Sequence, residues 1–200
     1  MEPVLIEVPE RIDSERLILR CPGRGDGAAL NAAVAASLLE LEPWLPWAAS
    51  MPTLDESEAH CRRQQARYIL REDLAMLMFW RDASGEEGEL VGGIGLHRID
   101  WTLRRFEIGY WRKSGLEGRG IATEAVVAIA RMAFDKLDAR RVEIRTDNEN
   151  ERSWKVAERA HFTLEAVLRF DAVTRTNQPR SSRVYARVRG AEESMVTSTG

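Results

Sequence analysis

Residues 107 to 125 read EIGYWRKSGLEGRGIATEA, and the way this stretch is understood decides the fold. Phe106 to Trp111 is short, apolar and aromatic, as a strand is, and Lys113 to Gly120 is polar with three glycines, Gly115, Gly118 and Gly120. After it Ile121, Ala122, Val126, Ile129, Ala133 and Leu137 recur at helical spacing. A strand, a bare-backbone loop and a helix N-terminus follow one another. The first N–H groups of a helix have no intrahelical acceptor and carry the positive end of the helix dipole, so anions collect there. Gly118 and Gly120 keep side chains away from those amides, and Arg119 between them adds a positive charge. Taken alone, a G-x-G also fits an ordinary strand-to-helix turn.

Further motifs narrow the choice. Gly115-Leu116-Glu117-Gly118-Arg119-Gly120, followed by Ile121-Ala122-Thr123-Glu124-Ala125, resembles the acetyl-CoA loop of the GNAT N-acetyltransferases, with Gly115 where that loop usually has Arg or Gln. Asn150-Glu151-Arg152-Ser153, leading to Ala157-Glu158-Arg159-Ala160-His161-Phe162, resembles the family's Asn-x-x-Ser…Glu-x-x-Gly-Phe segment, with His161 in place of the glycine. Ser14 to Arg20 and Gly93 to Ile99 resemble the first and third strands of the branch that acetylates ribosomal proteins at alanine or serine. The matches keep the family's order from about Ile12 to Arg189. The resemblance implies that acetyl-CoA is held by Gly109, Tyr110, Trp111, Arg112, Glu117, Gly118, Arg119, Gly120, Ile121, Ala122, Thr123, Asn150 and Ser153, with pantetheine along the edge of the 106–111 strand. It also implies that the helix–loop–helix region around Trp44 and Trp47 shapes the acceptor side.

Composition is that of a soluble globular protein. Two hundred residues suit one domain, and 44% hydrophobic with 30% charged residues is globular usage. No apolar run is long enough to span a bilayer, and MEPVLIEVPE lacks a basic start ahead of an apolar stretch, so a cytoplasmic protein is expected. A net charge of −3 gives no general attraction to nucleic acid. Cys21 and Cys61 have no metal-ligand spacing and are read as reduced thiols. No metal is expected. The partners expected are an amine acceptor, either a protein N-terminus or a small molecule, and a second copy of the chain in a homodimer.

The chain in order gives an α/β (α+β) fold. Met1 to Glu10 reads as a lead-in and Arg16 to Arg20 as a strand. A helix capped by Asp26 runs up to Pro43, and a second from Leu54 to about Arg71 carries the capping box Thr53-Leu54-Asp55-Glu56. Ala75 to Arg81 and Leu90 to Ile99 form a hairpin, and Arg104 to Trp111 adds a third antiparallel neighbour. After the helix from Ile121 come a strand at Arg141 to Thr146, a helix at Ser153 to Ala160, and closing strands at Thr163 to Phe170 and Ser182 to Val188, with Pro179 in their connection. The expected whole is one GNAT-like domain over residues 11–189, a mixed, mostly antiparallel sheet of about seven strands with about four helices, and a flexible tail over 190–200.

Acetyl transfer from a thioester to an amine needs a neutral amine, a polarised carbonyl and a proton for the thiolate. Glu107, a carboxylate within an apolar strand, is the expected base, and pairing with Arg104 or Arg105 on an outward face is its alternative. Ser153 is the expected partner of the thiolate, and helix capping is its ordinary role. Trp44 and Trp47 form an aromatic wall for the acceptor or else cap the core. His60 is expected at the surface, and His97 and His161 have no recognisable nucleophile partner. The expected function is acetylation of a protein N-terminal amine. Small amines (a polyamine, an amino acid, an antibiotic) and a non-catalytic acyl-CoA-binding regulatory module are the alternatives.

Overall fold

A computed structural model of the chain describes residues 2–174 and 176–190. Among these, eight strands form one sheet in the order β1-β2-β3-β4-β5-β6-β8-β7. They are β1 (Arg11–Asp13), β2 (Leu17–Arg20), β3 (Leu74–Arg81), β4 (Glu87–Asp100), β5 (Arg105–Arg112), β6 (Arg141–Asp147), β7 (Thr163–Val173) and β8 (Pro179–Val188). Neighbours run antiparallel except β5 and β6, which are parallel. A parallel pair needs a long crossover, and α4 (Ile121–Lys136) supplies it. The other helices are α1 (Gly27–Ala35), α2 (Leu38–Leu41), α3 (Leu54–Ile69) and α5 (Glu151–Arg159). The fold is the expected mixed sheet with one strand and one helix more.

Alternation along β3 separates two cores. Leu74, Met76 and Met78 join Val126, Ile129 and Ala133 of α4 in the larger cluster. Leu77 and Phe79 face the other way, onto Leu30, Ala33 and Val34 of α1 and Cys61 of α3. Both cysteines are free, and burial pushes the Cys61 thiol up to about 11 and that of Cys21 to about 12. No helix among the described residues is long and apolar enough to cross a membrane.

Several local expectations change. The extra helix arises because the predicted first helix breaks at Ser37, whose Oγ donates to the Ala33 carbonyl at 2.7 Å and accepts the Ser114 N–H at 3.0 Å. The helix break is thereby tied to the loop after β5. Asp26 does not cap α1; its carboxylate is held by Arg20 and by the Gly23 N–H, each at 2.7 Å. Glu58 of α3 instead accepts the N–H groups of Gly25 at 3.0 Å and Gly27 at 3.1 Å. The extra strand, β1, pairs with β2. Of the lead-in, residues 6–10 lie against the domain: Val8 is buried, the Arg71 guanidinium donates to the Ile6 carbonyl at 2.8 Å and the Tyr68 hydroxyl to the Pro9 carbonyl at 2.5 Å. Pro179 opens β8 instead of lying in the connection, a place where a missing N–H costs the ladder nothing. Of the predicted tail, residues 191–200 lie outside the described residues.

One local signal holds, and the structure explains one departure from the family pattern. Thr53 Oγ1 accepts the Glu56 N–H at 3.2 Å and Glu56 Oε2 accepts the Thr53 N–H at 2.8 Å, the reciprocal capping box. His161, where the family pattern has glycine, has φ +61°. Its N–H bonds Glu158 and that of Phe162 bonds Ala157, the paired bonds of a Schellman end to α5. The left-handed conformation explains why glycine suits this position.

Candidate active site

The loop between β5 and α4 is built for close approach. Gly115, Gly118 and Gly120 have φ of +82°, +70° and +76°, and a Cβ at Gly115 or Gly118 would meet nothing within 4 Å. These glycines serve the backbone and leave open space beside it. Gly120 is the N-cap of α4 with no side-chain cap, and the first intrahelical bond is Glu124 N–H to Gly120 C=O at 3.0 Å. The amides of Ile121, Ala122 and Thr123 therefore stand uncapped at the positive end of a sixteen-residue helix. Arg16 braces the loop: Nη1 donates to the Arg119 carbonyl at 3.0 Å and Nε to Glu124 at 2.7 Å. Against the burial that raises it, hydrogen bonds from Arg16 and Ser14 hold the Glu124 carboxyl below its usual range. The Arg119 side chain is exposed, and Arg112 pairs with Glu117 across the loop. Bare amides, open space and a charged rim fit a phosphate-bearing cofactor.

Next to this loop the sheet parts. β5 pairs with β6 only from Arg105 to Glu107, against Arg141 to Glu143, while β5 continues along β4 as far as Arg112 opposite Gly92. From Ile108 onward the β6-facing edge of β5 has no strand partner among the described residues, so its N–H and C=O groups are available to an extended ligand. The head of α5 closes the far side. Asn150 Oδ1 accepts the Ser153 N–H at 3.1 Å, so Asn150 is the cap and Ser153 lies one turn in. The Tyr110 hydroxyl donates to the Ser153 carbonyl at 2.9 Å and stands 3.0 Å from Ser153 Oγ. Burial pushes the Tyr110 phenol up to about 12, against the lowering effect of Ser153, so it stays protonated at neutral pH.

On the α1 and α3 face, β4 and β5 present glycines. A Cβ at Gly93 would lie 2.6 Å from the Trp111 indole nitrogen, one at Gly95 2.8 Å from His97 Cε1, and one at Gly109 2.9 Å from His97 Cδ2. The Trp111 and His97 rings thus rest on a bare stretch of sheet. Above them is a cavity of about 620 Å³, walled by Leu30 and Val34, by Trp47, and by Ser57, His60 and Gln64 of α3. That is ample for a small ligand or the end of a peptide. Trp47 meets Trp111 edge-on with ring centres 5.9 Å apart, whereas Trp44 lies under the Arg180 guanidinium at 4.8 Å and does not line the cavity. Gln64 Oε1 is buried with no hydrogen-bond partner among the described residues. Glu107 lies opposite His97 in the β4 register; its side chain is 20% exposed and Oε2 accepts Arg98 Nη1 at 3.1 Å.

Sequence reasoning missed two neighbours of this cavity. His97 Nδ1 stands 3.0 Å from Asp73 Oδ2, and both line up because β3 and β4 pair Leu74 with Leu96. His97 had a signal, since strand alternation puts it on the same face as Gly93 and Gly95; Asp73 had none. Arg16 and Gln64 were likewise invisible in local patterns.

The family model for the acetyltransferase (GNAT) domain matches residues 16–163. The chain belongs to the GNAT acetyltransferase family. It is 31% identical over 127 residues to the ribosomal-protein-serine acetyltransferase of Escherichia coli (strain K12), covering 63% of this chain and 69% of that protein. It is 41% identical over 83 residues to the putative ribosomal N-acetyltransferase YdaF of Bacillus subtilis (strain 168), where the match spans 42% of this GNAT chain and 45% of that relative. Among solved structures, a ribosomal L7/L12 alpha-N-protein acetyltransferase in complex with coenzyme A superposes with a TM-score of 0.81 at 24% identity, over 90% of this chain and 98% of that one. The microcin C7 self-immunity acetyltransferase, in complex with acetyl-CoA and AMP, gives 0.78 at 19%, over 88% and 93%.

Proposed function

We propose that the chain transfers the acetyl group of acetyl-CoA to a protein N-terminal α-amine by direct attack, without a covalent enzyme intermediate. One observation carries this: the unpaired edge of β5 runs between an uncapped helix start on one side and a glycine-floored cavity on the other. A cofactor with phosphates at one end and a thioester at the other spans that arrangement. The amides of residues 118–123 and Arg119 would hold the phosphates, with Arg112 and Glu117 at the rim. The β5 edge at Gly109 to Trp111 would take the pantetheine and polarise the carbonyl. Asn150 and Ser153 stand at the thiolate end. On the acceptor side, Glu107 and the His97–Asp73 pair are candidates to take the amine's proton, with Trp47 as wall. The names of the ribosomal relatives favour a protein N-terminus over a small amine. The deciding experiment is an acceptor screen with acetyl-CoA and thiol release, in which N-terminal peptides are turned over and polyamines, amino acids and antibiotics are not. Binding of acetyl-CoA with no turnover of any amine would favour the regulatory module.

Two substitutions sharpen this. Ser153→Ala is expected to lower kcat about ten-fold or more, while stability falls by about 1 kcal/mol or less, because Asn150 carries the cap and only the Tyr110 bond is lost. Asn150→Ala is the mirror case, a stability loss of about 1 kcal/mol. If melting shows the reverse order, the roles are exchanged. Gln64→Leu removes an unpartnered buried oxygen and should leave the fold as stable or more so. If the oxygen accepts a peptide N–H of the acceptor, KM for peptides rises about ten-fold with acetyl-CoA affinity unchanged; an unaltered KM for peptides removes Gln64 from recognition.

A further inference from the structure

We propose that His97, oriented by Asp73, is the group that takes the proton of the acceptor amine. This rests on the reading of the chain as an amine acetyltransferase. Asp73 is buried and its carboxylate lies 3.1 and 3.0 Å from His97 Nδ1. A carboxylate accepts only, so in the neutral imidazole Nδ1 carries the hydrogen and Nε2 has the lone pair. No described residue bonds Nε2. The ring edge bearing it lies over Gly95 and Gly109, within 2.9 and 3.1 Å of where their Cβ atoms would be. Gly109 belongs to the part of β5 that has left β6, where the thioester is expected, and His97 itself lines the cavity.

Glu107 is placed less well for the same task. It sits on the last rung at which β5 still pairs with β6, opposite Glu143, and its carboxylate is engaged by Arg98. Glu56, His60, Cys61 and Arg63 of α3 and Tyr110 of β5 line the same cavity as the imidazole, Arg67 lies 3.7 Å from Asp73, and Glu107 pairs with Arg98 on the sheet. In the step, His97 Nε2 takes one proton from the ammonium. The freed nitrogen pair forms the bond to the thioester carbonyl carbon and the carbon–sulfur bond breaks. The sulfur leaves with that bond's electrons and gains the proton that the new amide nitrogen loses.

The test is the pH–rate profile of the full chain between about pH 6 and 9, with saturating acetyl-CoA, an N-terminal peptide and thiol release. An α-amine with pKa near 8 is only about a tenth neutral at pH 7. H97Q should lose about 10²-fold in kcat at pH 7, with the deficit shrinking as the amine deprotonates itself. Acetyl-CoA affinity, measured by calorimetry, should be unchanged. D73N should lose about ten-fold in kcat with KM for the peptide unchanged, because an amide can donate to Nδ1 and so hold the tautomer whose Nε2 has no free lone pair. A packing role for Asp73 would lower the melting temperature and leave kcat at the wild-type value, and this readout stands even if H97Q folds poorly. The assignment is overturned if the H97Q profile superimposes on wild type, or if E107Q alone reproduces the pH-dependent loss. A wild-type protein that acetylates no amine overturns the functional reading, and this assignment with it.

Discussion

Gly120→Glu is expected to lower acetyl-CoA affinity by roughly 10²- to 10⁴-fold. Gly120 holds φ +76° at the uncapped start of α4, and a Cβ there would lie 3.5 Å from Arg16 Nη2. A carboxylate at this point takes the place of a phosphate at the helix start and competes with Glu124 for Arg16. The loss of about two charge-assisted bonds, each about 1.5–3 kcal/mol, gives that range. The left-handed backbone adds a stability cost of about 1–2 kcal/mol that any side chain incurs. Gly120→Ala therefore separates strain from charge: it should melt lower yet bind acetyl-CoA far better than the Glu variant. Calorimetry showing wild-type affinity in Gly120→Glu would remove the loop from cofactor binding.

The second large effect is expected at Gly27, on the opposite face. A Cβ there would lie 2.5 to 2.7 Å from the Cα, N and Cβ of Glu58, so the clash is with the α3 main chain and no flexible side chain can relieve it. Gly27→Ala must push α1 from α3, at about 2–3 kcal/mol, which for a chain of this size is a fall in Tm of about 5–10 °C. Because Leu30, Val34, Ser57 and Gln64 of these helices wall the cavity, KM for the acceptor should rise. Acetyl-CoA affinity should stay, since the proposed cradle is at the start of α4. Unchanged melting would mean that the helices slide apart at no cost. A parallel loss of both affinities would mean that the two faces are not separable.

The contrast between these glycines shows what could be read in advance. Gly118 and Gly120 announce themselves because strand, loop and helix are consecutive, and helix-start amides are a local property. The capping box at Thr53 and Glu56 is likewise complete within four residues. Gly27 gives no such sign. Its need for a missing Cβ comes from a helix thirty residues on, as does the closing of α1 by Glu58 in place of Asp26. The break at Ser37 has the same origin, since Ser114, its second partner, is far away in the chain.

The candidate site divides along the same line. From its sequence alone the chain specified the alternation of its strands, the glycine loop at an uncapped helix start, the Asn150 to Ser153 segment and the mixed sheet, because hydrophobic period, capping and glycine placement act over a few residues. Only the tertiary structure decided which side chains share a space. Strand register placed His97 over Gly109 and beside Asp73, left Glu107 with Arg98, and drew β5 away from β6 to open the edge. Register and strand separation are set by pairings between distant segments, and a one-residue shift would reverse every such neighbour.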